Sequence, residues 1–121
     1  MKAMLTFTAQ QALGSGALTH DVVIGTTAPT SASREEYEID IAAIAAASAI
    51  TQTATCTIIS ASGSAYTFVL STLSLSSATS GIHLNAKGYR VKKGDTVRLT
   101  CTNTATPAIT VSSELRLKPI G

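Results

Sequence analysis

Two histidines, two cysteines and a few carboxylates are the side chains of this sequence equipped for chemistry. His20 and His83 stand with Asp21, Asp40, Asp95 and many serines. These are the ingredients of a Ser-His-Asp relay, in which a carboxylate orients an imidazole that takes the hydroxyl proton. The spacing argues against it. No serine sits in a Gly-x-Ser-x-Gly elbow, the strained turn that presents a nucleophile. Ser and Thr make up roughly a quarter of the chain, so Ser/His/Asp triplets arise by chance and no catalytic residue is assigned. His20 and Asp21 lack the spacing of a closed metal site, and Cys56 and Cys101 do not complete one, so neither a metal nor a cofactor is expected.

Binding chemistry has two candidates. Tyr37, Tyr66 and Tyr89 could form a sugar-stacking platform, but the strand pattern assigns Tyr37 and Tyr66 to inner faces. Lys87, Arg90, Lys92 and Lys93 form a basic cluster. It has no interleaved aromatics, and the formal net charge is only +2, so nucleic acid is not the expected partner. Lys93-Gly94-Asp95 resembles a receptor-binding tripeptide, although a Gly-Asp turn before a strand accounts for it equally.

The elements that position these residues read as strands. Thr96 to Thr102 alternates Val97, Leu99 and Cys101 against Thr96, Arg98, Thr100 and Thr102, the period of a strand with one dry face. Thr53 to Ile58 sets Ala54, Cys56 and Ile58 against three threonines in the same way. Further strands are expected at 4–8, 17–24, 66–73, near 82–84, at 109–111 and at 114–120. The segment 34–50 is ambiguous. Ser33 and Glu36 could form a helix capping box and alanine favours helix, whereas Tyr37-Glu38-Ile39-Asp40-Ile41 alternates; the strand reading over 36–43 is preferred. Tyr66, Phe68 and Leu70 are assigned to one face of a strand, opposite Thr67 and Val69.

Eight or nine short strands in 121 residues give an all-β class: one domain over residues 1–121, a single antiparallel β-sandwich of jelly-roll type. Both cysteines fall on inner faces, as small buried hydrophobes or as a disulfide between facing sheets; the absent Trp weighs against an immunoglobulin-type pin. Charged residues are 13% of the chain, about half the usual share, as in a protein that hides surface in an assembly. Residues 1–60 carry two basic and five acidic residues, and residues 61–121 seven and two. Two solvated faces explain this, and so do acidic and basic patches meeting across subunits. Met1-Lys2 opens like a leader, but Thr6, Thr8, Gln10 and Gln11 break its apolar core, and no apolar run has the length of a membrane span. Neither a leader nor a membrane partner is expected.

Tyr37-Glu38-Ile39-Asp40-Ile41, then Ala54-Thr55-Cys56-Thr57-Ile58-Ile59, then Val91-Lys92-Lys93-Gly94-Asp95-Thr96-Val97-Arg98-Leu99 and a closing Leu115-Arg116-Leu117 strand together resemble the small jelly-roll virion proteins of tailed bacteriophages. The likeness spans roughly residues 36–120; residues 1–35 match none of it and are expected as first strands or as an extended assembly arm. What the resemblance implies is a non-enzymatic virion subunit: a capsid decoration protein, head-fibre base or tail component. It would be a homo-oligomer, a trimer by preference, bound to other virion proteins and assembled in the host cytoplasm. The expected subunit contacts are the basic turn, Arg90, Lys92 and Lys93, against the acidic stretch Glu35, Glu36 and Glu38. A carbohydrate-binding sandwich and a pilus or cell-surface subunit are the alternatives.

Overall fold

The computed structural model describes residues 5–13, 17–30, 36–46, 53–74, 82–83, 88–102 and 109–120. Glu35 and Lys87 lie outside them. Among the described residues nine strands run in order: β1 (Leu5–Leu13), β2 (Ala17–Val23), β3 (Glu36–Ala46), β4 (Thr53–Ile59), β5 (Phe68–Ser74), β6 (Ile82–His83), β7 (Arg90–Lys92), β8 (Thr96–Thr102) and β9 (Ile109–Ile120). One sheet has the order β1-β9-β3, with β6 and β7 sharing the next position along β3; the other is β2-β8-β4-β5.

The pairing has a simple logic. β1 pairs β9, β2 pairs β8, β3 pairs β6 and β7, and β4 pairs β5, all antiparallel. With β6 and β7 counted as one interrupted strand, first meets last, second meets second-last, and so on inward. An eight-stranded ribbon rolled onto itself has this order, which is that of a jelly roll. The roll is completed by β3 against β9 and β4 against β8.

The two inner faces meet in one core. Ile39, Ile44, Leu115 and Leu117 come from the first sheet and Val22, Ile58, Val97 and Leu99 from the second. Burying each such side chain contributes about 1.5–3 kcal/mol. Ala54, Cys56 and Ile58 stand opposite Cys101, Leu99 and Val97, so the two strands clearest in sequence are neighbours. Both cysteines are buried on one face of the same sheet, not across facing sheets. Burial pushes the Cys56 thiol up to about 11 and moves Cys101 in the same direction. On the outer face of this sheet Thr72, Thr55, Thr100 and Thr19 form a cross-strand row, which gives the threonine content a structural use.

Some expectations need correction. Residues 5–23 are not an extended arm but carry β1 and β2, because Leu18, His20 and Val22 supply a core face that only strand pairing can bury. The strands expected at 109–111 and 114–120 are one strand, β9, whose inner face continues through Val111, Ser113, Leu115 and Leu117. The alternation of β3 slips at a bulge between Ile39 and Ile41. Tyr37 and Ile39 point inward, Ile41 turns out, and Ala42 and Ile44 take up the inner face. β3 also runs to Ala46, past the expected end, because β9 pairs it throughout.

Candidate functional site

The sandwich has two open sides where sheet edges face each other. One lies between β1 and β2, the other between β5 and the β6/β7 edge. Glu36, Tyr66, Tyr89, Arg90 and Lys92, singled out by sequence for binding, converge on the second, whereas Tyr37 is buried in the core.

β7 ends in the turn Lys92-Lys93-Gly94-Asp95, and Asp95 ties it down. Its Oδ2 accepts from the Lys92 N–H at 3.0 Å and its Oδ1 from the Ala61 N–H, beyond the end of β4, at 2.8 Å. Its own N–H donates to the Lys92 carbonyl, and its carbonyl accepts from the Ile24 N–H at 2.9 Å. Asp95 thus joins the ends of β2, β4 and β7 while remaining only 6% exposed. A carboxylate engaged in this way is not free for a receptor, so the tripeptide resemblance has no structural counterpart. Gly94 has φ +95°, and a Cβ there would lie 2.8 Å from that of Ala61, so the turn demands glycine twice over.

The acidic and basic stretches named as subunit contacts come together within one chain. Glu36 stands opposite Lys92 and Glu38 opposite Arg90 across β3 and β7, and Glu38 also faces Lys118 on β9. Among the described residues the ion pairs within 4.0 Å lie elsewhere, at Asp21–Arg98 and Glu114–Arg116. Glu36, Arg90, Lys92 and Lys93 are exposed. The stem of Lys93 passes over Gly25.

β5 forms the other lip. Tyr66 closes a 3-10 turn (Ser64–Tyr66) with no buried residue and is 65% exposed; Phe68 is 39% and Val69 59% exposed. The expectation of Tyr66 on an inner face is overturned, because the strand begins only at Phe68, after that turn. A second bulge at Leu70 lets Leu70 pack on the core and leaves Val69 outside. Phe68 meets Tyr89 edge-to-face, ring centroids 5.6 Å apart, and the pair spans the gap between the two sheet edges. Burial, helped by the Asp95 charge, raises the Tyr89 phenol above its ordinary value. Around these rings lies a pocket of ≈ 460 Å³, rimmed by Glu36, Arg90 and Lys92 and by Ser60 and Ser62. A wider groove of ≈ 730 Å³ crosses β1, β9 and β3, where the outward Ile41 meets Ala43, Gln10, Glu114 and Arg116. There Arg116 Nε lies 2.7 Å from Glu114 Oε2 without the alignment of a hydrogen bond.

The candidate relay residues are dispersed. His20 points into the core, where Nδ1 and Ser113 Oγ share a 2.7 Å hydrogen bond between the two sheets. Burial lowers the His20 pKa and the Asp21 charge opposes that shift, so the imidazole resists protonation. Asp21, one residue on, faces the other way and takes Arg98 in a two-point ion pair of 2.7 and 2.9 Å. Asp95 is held in its turn, and His83 lies opposite Ala43 on the edge strand β6. Among the described residues no three potential metal ligands gather. Sequence reading missed the His20–Ser113 tie because serine spacing alone carries no sign of which sheet will face which. No family model, curated protein or solved structure matches the chain.

Proposed function

We propose that this protein is a non-enzymatic structural subunit of a virus particle that works through contact area. The observation that carries the reading is the edge of β5. It is a seven-residue sheet edge, FVLSTLS, with neither a charge nor a proline, and it leaves Phe68 and Val69 exposed beside Tyr66. Monomeric proteins guard such edges with charges, prolines or short strands, because unpaired N–H and C=O groups next to apolar side chains recruit another chain. The β7 edge is guarded in that manner, short and flanked by Arg90 and Lys92. A neighbouring subunit on β5 would cover the apolar residues, and Arg90, Lys92 and Lys93 at the adjoining lip would set its register. The rolled strand order and the low charge support a virion role as a decoration or accessory subunit, trimeric and bound to capsid or tail protein. The His20–Ser113 contact is sealed inside the core, which supports a non-catalytic role.

Size-exclusion chromatography with light scattering tests the reading. A trimer or other closed oligomer that Val69→Lys dissociates is expected; a monodisperse monomer at high concentration would overturn it. Mass spectrometry of purified tailed-phage particles that carry the gene tests the particle assignment, and absence of the chain from them would remove it.

A further inference from the structure

We propose that the pocket between β5 and β7 binds a neutral sugar, stacking the C–H face of a pyranose on Tyr66. Three rings line one pocket: Tyr89 packs against the core, while Phe68 and Tyr66 are exposed. Tyr66 in particular belongs to a turn that buries nothing, so its exposed ring has no part in the core. The pocket, ≈ 460 Å³, has room for a sugar ring together with its first neighbour.

Its rim selects the ligand class. Arg90 and Lys92 donate, Glu36 accepts, and Ser60 and Ser62 add hydroxyls on the β4 side. Sugar hydroxyls both donate and accept, so vicinal pairs match a rim of mixed sign. A phosphate or nucleotide would gain from the two cations but would face the carboxylates of Glu36 and Asp95. The Asp95 field does reach this space, because it acts on the Tyr89 phenol. The four charges cancel, and a neutral polyhydroxyl ligand fits that balance better than an anion.

The site lies within one chain, but the subunit contact proposed above would cover the same lip. Sugar binding is therefore read in the Val69→Lys background, where its loss counts against this proposal and leaves the structural role untouched. The experiment is saturation-transfer difference NMR on the full chain with glucose, galactose, mannose, N-acetylglucosamine and N-acetylgalactosamine and their β- and α-linked disaccharides. The result expected is saturation of at least one sugar at millimolar concentration. Binding should weaken about fivefold to tenfold in Tyr66→Ala and stay near wild type in Tyr66→Phe, which keeps the ring. Tyr66 is too exposed for either change to unfold the protein. Absence of saturation by every sugar overturns the proposal. So does saturation that Tyr66→Ala leaves unchanged, or its displacement by adenosine monophosphate at lower concentration than by any sugar.

Discussion

The two lips of the open side, β7 and β5, are edges of the same sandwich built on opposite terms. β7 is three residues long, carries Arg90 and Lys92, and is fixed through Asp95 to the ends of two other strands. β5 is seven residues long and uncharged, and its Phe68 and Val69 reach solvent. Both are edge strands, so the difference lies in the side chains. The charged edge keeps two exposed cations and is pinned through Asp95, whereas the uncharged edge leaves Phe68 and Val69 in solvent. Exposed edges are safe only when guarded, and the proposed subunit contact assigns the unguarded edge of β5 to a neighbour.

Asp95→Ala is the severest way to break the comparison. It removes a carboxylate that accepts two backbone N–H bonds and orphans both donors, for an expected loss of about 3 kcal/mol in urea unfolding. If the loss is below about 1 kcal/mol, β7 is not anchored as described.

Ser113→Ala acts on the core that both lips share. It leaves His20 Nδ1 without its partner and costs about 2 kcal/mol, with no bias toward either edge. The His20 pKa gives a matching pH dependence. The folded imidazole is depressed below the ordinary value near 6.5, so the unfolded chain binds the proton first. The stabilising contribution is complete above that value and is lost as pH falls toward the folded pKa. Thermal melts from pH 8 down to 5 should show Tm falling below about pH 6.5, and the fall should be absent in His20→Gln. Equal slopes in both proteins would remove His20 as the cause.

Val69→Lys sharpens the contrast at β5. Chain stability should stay within about 0.5 kcal/mol of wild type, while self-association weakens tenfold or more, read by sedimentation. The smallest effect is expected from Lys92→Glu. It sets like charges opposite Glu36 and costs about 0.5 kcal/mol of folding stability, measurable in denaturant. An equal loss of assembly in both variants would make the two lips one surface of uniform character.

Much of the fold was legible in the chain. The strands β4 and β8 declare themselves through Ala54-Cys56-Ile58 and Val97-Leu99-Cys101, because a half-buried strand must repeat every two residues. The site was legible only in parts. Tyr89 and the basic turn stand out, but alternation puts Tyr66 on a buried face, whereas it closes a turn before the strand, where alternation does not hold. Ile41 escapes the pattern because the bulge in β3 shifts the register by one residue and inverts the face.

The sequence by itself determined an all-β chain, its dry faces and the Gly-Asp turn before β8, because alternation and turn chemistry are local properties. Only the tertiary structure decided that Glu36 and Glu38 would meet Lys92 and Arg90 in the same sheet, that His20 would find Ser113, and that Tyr66, Phe68 and Tyr89 would gather at one open side. Those contacts join residues far apart in sequence. They depend on which strands the rolled ribbon brings together and on two bulges that reset its register, and neither is written in any one segment.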